Sequence, residues 1–167
     1  MSFRKRYPKR SSNKDKYSVE QTNIITPPPQ QWTEVAPANE TEQTSYQFAI
    51  SIIPPTDLEG MRKIKHLTIS FSFNADTVLY YALVYVPQGY QPQTLHVPAQ
   101  GFAVNSYKAN QFVMSSGALD FTGGPCRIRS PLSRNLNSGD SVYLLLGTYT
   151  GTTQPVLAQV KYAITLQ

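Results

Sequence analysis

The chain of 167 residues has one cysteine, Cys126. An intrachain disulfide is therefore impossible, and no cysteine-built zinc site can form. Histidine is almost as scarce, with only His66 and His96, and neither lies in a spacing of Cys, Asp or Glu that suggests a metal centre or a catalytic triad. The ten acidic residues are scattered and make no recognisable carboxylate pair. Gly123-Gly124 runs into Pro125, which is a turn and not a phosphate cradle opening a helix. No run of about 18 apolar residues offers a membrane span, and no internal repeat is visible. The basic N-terminus leads into Ser11-Ser12-Asn13-Lys14-Asp15 instead of an apolar stretch, so a secretory signal is not expected. These absences point away from an enzyme, a metalloprotein, a cofactor binder and a membrane protein, and toward an intracellular, reducing compartment.

Charge is present but unevenly placed. Residues 1–16 hold Arg4, Lys5, Arg6, Lys9, Arg10, Lys14 and Lys16 against Asp15 alone, a net charge of +6. The other 151 residues carry eight basic and nine acidic side chains, a net charge of −1. A short cationic arm of low apolar content does not fold by itself, and it attracts polyanions through counterion release. It neutralises phosphates without reading bases. Tyr7 and Tyr17 lie among these cations, where aromatic rings can stack on unpaired bases. Arg4, Lys5, Arg6, Lys9 and Arg10 also fit a nuclear localisation pattern.

Three zones follow along the chain: the arm, 1–16; a polar connector, 17–42; and a strand-rich body, 43–167. Pro27-Pro28-Pro29 in the connector predicts an extended polyproline II rod that spaces arm from body. Alternation dominates the body. Val156, Ala158, Val160, Tyr162, Ile164 and Leu166 make one apolar face, with Gln159, Lys161 and Thr165 on the other. Tyr46, Phe48, Ile50 and Ile52 repeat the pattern, as do Leu67, Ile69, Phe71 and Phe73. Val78–Val86 is apolar or aromatic on both faces and reads as a central strand. Phe112, Met114 and Ala118 mark a further strand, Val142, Leu144 and Leu146 another, and residues 126–130 a short one. Turn residues separate them at Pro54-Pro55, Glu59-Gly60, Asn74-Ala75-Asp76, Gly123-Gly124-Pro125, Asn137-Ser138-Gly139-Asp140 and Thr150-Gly151. Seven or eight strands with no helical crossover imply an all-β antiparallel sandwich or barrel. The connection 87–109 is long for a turn and holds Tyr90, Phe102 and Tyr107, which favours a contact surface.

Several stretches resemble the capsid proteins of small circular single-stranded DNA viruses, the circovirus-like and nanovirus-like group. They are residues 60–67, 79–89 and 110–114, and above all 124–140, Gly-Pro-Cys-Arg-Ile-Arg-Ser-Pro-Leu-Ser-Arg-Asn-Leu-Asn-Ser-Gly-Asp. The similarity covers roughly residues 43–167, with the basic arm placed where that family places its own. The resemblance implies a single jelly roll of about eight antiparallel strands and a sixty-copy, T=1 icosahedral shell around circular single-stranded DNA. It also implies an inward-facing arm, engagement of the host nuclear import machinery, and residence in the virion and, during assembly, the host nucleus. Sixty arms of +6 each would bring about 360 positive charges, enough for about 360 phosphates. A kilobase genome would need further cations.

Within the body, Arg127 and Arg129 stand two apart, hence on one face of a strand, with Arg134 soon after. Arg62, Lys63 and Lys65 open another strand. Arg127 and Arg129 are the first candidates for nucleic-acid contact on the inner surface; pairing with Asp57, Glu59 or Asp140 and a solvated face are the alternatives. His66 reads as a structural histidine. The competing functional class is a non-viral single-stranded nucleic-acid-binding β-barrel module, and the neutrality of the body speaks against it.

Overall fold

The computed structural model describes residues 17–36, 44–74, 77–93 and 111–166. The described residues form ten strands: β1 Ser18–Ile25, β2 Thr33–Val35, β3 Ser45–Ile53, β4 Arg62–Ser72, β5 Val78–Val86, β6 Phe112–Asp120, β7 Cys126–Ser130, β8 Arg134–Leu136, β9 Ser141–Thr148 and β10 Leu157–Leu166. One sheet has the order β1-β10-β4-β7, with β8 also on β4; the other has the order β2-β3-β9-β5-β6. The pairings among the described strands are antiparallel. Strands β7 and β8 lie end to end along β4, against Leu67–Phe71 and Arg62–Ile64 respectively. They therefore fill one strand position. With β2 set aside, the eight positions run 1-8-3-6 and 2-7-4-5, the order of two Greek keys folded into a jelly roll.

The apolar alternation read from the sequence makes the core between the sheets. Leu67, Ile69 and Phe71 of β4 meet Val142, Leu144 and Leu146 of β9 and Val156, Ala158, Val160 and Tyr162 of the last segment in one buried cluster. Each fully buried leucine contributes about 1.5–3 kcal/mol over its exposed state. Strand β5 lies between β9 and β6 and is buried on both faces, as expected of a central strand. Behind it Ala82, Val84, Val86 and Leu145 form a second buried cluster, with Tyr80, Tyr143 and Tyr149 packed against them.

Three β-bulges shift the simple alternation. On β4, His66 and Leu67 together oppose Tyr162, and His66 takes the left-handed φ of +55°. Ile64 and Leu67, three apart, thus both reach the core. On β3, the register shifts at Ile52, so the neighbours Ile52 and Ile53 are both buried. On β6 the shift falls at Met114, where Val113 pairs with Val84 and Ser115 with Leu83. Past that point Ser115, Gly117 and Leu119 share the core side, so of the three residues that marked this strand Ala118 is exposed, as Phe112 is at its start, and Met114 is half-buried. Leu166 also departs from expectation: it is exposed at the end of the sandwich, in a shallow notch with Leu58 and Ile164.

The connector expected over 17–42 holds two strands. Ser18–Ile25 pairs with Leu157–Ile164 without a bulge. The segment escapes an alternation test because it is exposed on both faces, with only Ile24 half-buried. Nor is the triple proline a free rod. Thr26 N–H donates to Val156 O at 3.0 Å, and Val156 N–H donates to Thr26 Oγ1 at 3.2 Å. The Trp32 indole donates to Pro27 O at 3.0 Å, Pro29 is buried at the head of a 3-10 turn, and Trp32 stacks on Phe48. Strand β1 is thus part of the folded sandwich. The arm 1–16 and residues 94–110 of the long connection lie outside the described residues.

One end of the sandwich is clasped by Asp140, a buried residue. Its carboxylate accepts the Tyr85 hydroxyl at 2.7 Å, Gln88 N–H at 3.1 Å and Asn137 N–H at 2.7 Å. Its carbonyl accepts Arg62 at 2.9 Å, and the same guanidinium donates to Pro54 O at 3.0 Å. Burial and the bond to Asp140 push the Tyr85 hydroxyl up to about 12. Above its ring sits the Arg134 guanidinium at 4.2 Å, a cation–π contact.

Candidate nucleic-acid interface

Strand pairing sets the solvent face of the β1-β10-β4-β7 sheet. Paired residues point to the same side, so one row crosses the sheet as Gln21, Lys161, Thr68 and Arg129. The next row reads Asn23, Gln159, Ser70 and Arg127. Arg127, Arg129 and Lys161 are all exposed. Arg127 Nε donates to Ser70 Oγ at 3.2 Å, which lays its guanidinium along the face. A groove of about 460 Å³ runs here, lined among others by Gln21, His66, Thr68, Ser70, Arg127 and Lys161. Among the described residues no carboxylate lines it. Glu20, the one acid on β1, alternates to the opposite side and pairs with Tyr162.

The structure thus brings Arg127 and Arg129 together with two residues that the sequence reading did not select. Lys161 was visible on the wet side of its strand, but nothing local to it shows that β10 lies beside β4. His66, expected as a structural histidine, is exposed, because the bulge turns it onto the groove. The other basic group divides. Arg62 is spent on the carbonyls of Pro54 and Asp140, and burial lowers its pKa. Lys65 Nζ sits 4.6 Å from the centre of the Tyr17 ring. Arg134 lies over Tyr85 and Phe112, away from the groove. Asp140, weighed as a partner for the arginines, is occupied by Tyr85 and backbone N–H groups. The remaining cationic candidates, Arg4, Lys5, Arg6, Lys9, Arg10, Lys14 and Lys16, lie outside the described residues; the chain leaves for them at Tyr17, beside Lys65.

Catalytic chemistry finds little material. Among the described residues no three of His, Cys, Asp and Glu converge as metal ligands. Cys126 Sγ donates to Asp120 O at 3.1 Å, and Asp120 is held below the usual carboxylate range by the hydroxyl and backbone N–H of Thr122. Both caps belong to the turn before β7. No helix among the described residues is long and apolar enough to cross a membrane.

No family model and no curated protein matches the chain. Among solved structures it is similar to a chain of infectious bursal disease virus, Gt strain, at 9% identity and TM-score 0.33, covering 91% of this chain and 32% of that one. Dimeric latent PorU from Porphyromonas gingivalis matches at 12% identity and TM-score 0.27, over 89% of this chain and 13% of that one. T=1 particles derived from infectious bursal virus match at 11% identity and TM-score 0.22, over 89% and 40%. The chain spans about a third of the length of the first of these.

Proposed function

We propose that this chain is the capsid protein of a small virus, which self-assembles into a T=1 shell of sixty copies and packages circular single-stranded DNA. The observation that carries this reading is the coupling of a jelly-roll body to an arm of +6. Jelly rolls recur in viral shells, and such an arm neutralises phosphates without sequence preference. The resemblance of residues 60–67, 79–89, 110–114 and 124–140 to circovirus-like and nanovirus-like capsid proteins supplies the DNA and the copy number. In this reading Arg4, Lys5, Arg6, Lys9, Arg10, Lys14 and Lys16 hold the genome. Arg4 to Arg10 also carry the nuclear import signal, so the protein passes through the host nucleus before residing in the virion. The protein is not an enzyme and needs no cofactor.

A second reading, a non-viral single-strand-binding module, gains from the acid-free groove, because the neutral body is cationic on one face. Oligomeric state separates the two. Sedimentation velocity of the full-length protein, recorded at 260 and 280 nm, should give one fast megadalton boundary absorbing strongly at 260 nm. A slow boundary of one or a few subunits, unmoved by salt or added DNA, would assign the chain to the second class.

A further inference from the structure

We infer that the groove on the β1-β10-β4-β7 sheet is a second nucleic-acid site, which takes the sugar–phosphate backbone through Lys161, Arg127 and Arg129 and does not read bases. This rests on the packaging reading for its partner but on separate residues. Lys161 and Arg127 line the groove, and exposed Arg129 stands beside it on the same sheet face. Arg127 and Arg129 are about 7 Å apart along β7, and Lys161 lies two strands from Arg129, about 10 Å away. Around them Thr68, Ser70, Gln21 and Gln159 supply neutral hydroxyl and amide groups, the side chains that commonly bond phosphate oxygens. Among the described residues no carboxylate lines the groove.

The chemistry selects backbone over base. Stacking on unpaired bases needs an exposed aromatic platform. Among the described residues the lining offers the Tyr162 ring, which is 8% exposed, and the single His66 imidazole, so no run of stacking platforms accompanies the cations. Val19, two residues from Tyr17, lines the same groove, so the described chain begins beside it.

The test uses the full-length protein carrying Arg127→Gln, Arg129→Gln and Lys161→Gln together, titrated with an oligothymidylate of about 20 nucleotides across a range of salt. Each phosphate contact on a single strand contributes about 0.7 to the slope of log affinity against log salt. The triple variant should show a slope shallower by about 2, with an unchanged thermal melt because all three side chains are exposed. Lys161→Gln alone should lower it by about 0.7. An unchanged slope overturns the site. An unchanged slope with loss of heparin retention by the variant also overturns it, and marks the face as one for sulfated glycans. Sedimentation of the same samples judges the shell reading separately: a shallower slope without a fast boundary keeps the groove and removes the shell.

Discussion

Asp140 shows how one side chain can tie the end of β5 to the turn before β9 at a distance the sequence does not reveal. Asn137-Ser138-Gly139-Asp140 is legible as a turn, and Gly139 has the expected left-handed φ of +77°. Its carboxylate, however, is committed to Tyr85 and Gln88, more than fifty residues earlier in the chain. Removing it leaves two backbone N–H groups and a phenol without their acceptor. Asp140→Ala should therefore lose about 3 kcal/mol of stability, measured by urea unfolding. A loss under about 1 kcal/mol would mean that water replaces the carboxylate at little cost. The Tyr85 end of the clasp has a pH signature. Its folded pKa of about 12 lies above the ordinary 10.0, so its contribution is complete below pH 10 and is lost as pH rises through 12. Between pH 8 and 11 the wild type should lose on the order of 1 kcal/mol that Tyr85→Phe does not lose. Equal losses in both would place the alkaline sensitivity elsewhere, with Tyr162, also raised by burial, the next candidate.

Among elements, β1 is the one held least by packing. Its eight residues pair with β10 through the backbone, yet Val19 and Ile25 are 63% and 73% exposed. Long exposed edges are sites where another chain can add. Its anchor is the reciprocal bonding of Thr26 with Val156, including Thr26 Oγ1 accepting from Val156 N–H at 3.2 Å. Thr26→Ala should cost about 1–2 kcal/mol by leaving that buried N–H unpaired. Hydrogen exchange at β1 amides should then quicken while β5 and β9 keep their protection. Uniform acceleration through all strands would instead make β1 part of the global unfolding unit. Strands with one buried face were legible, since alternation reports burial directly. Strand β1 was not, having no buried face to report. The parity of β6 was misread for a related reason: a bulge at Met114 moves the pattern by one residue, and a bulge depends on the partner strand.

At the scale of the molecule, a body whose net charge is near zero hides a segregation. The body carries eight cations and nine acids, yet one sheet face gathers Lys161, Arg127 and Arg129 with no carboxylate in its groove. The polar alternation of β10, β4 and β7 was visible in each strand; what brings them together is jelly-roll order, in which the last strand enters between β1 and β4. Strand order is set by long-range packing, so the arginines could be chosen from the sequence but not their lysine partner. If charge governs packaging, nucleic-acid content should follow the number of cations removed. Deleting residues 1–16 removes a net +6, twice the three charges of the groove. Purified particles of the arm deletion should therefore lose about twice as much nuclease-protected nucleic acid as the groove triple variant, read from absorbance at 260 nm per subunit. A much larger ratio would confine binding to the arm. Equal losses would make the groove a gate on packaging, since three charges would then do as much as six. Content unchanged in both would show that the enclosed volume, not the cationic count, sets how much is held, with mobile counterions neutralising the rest.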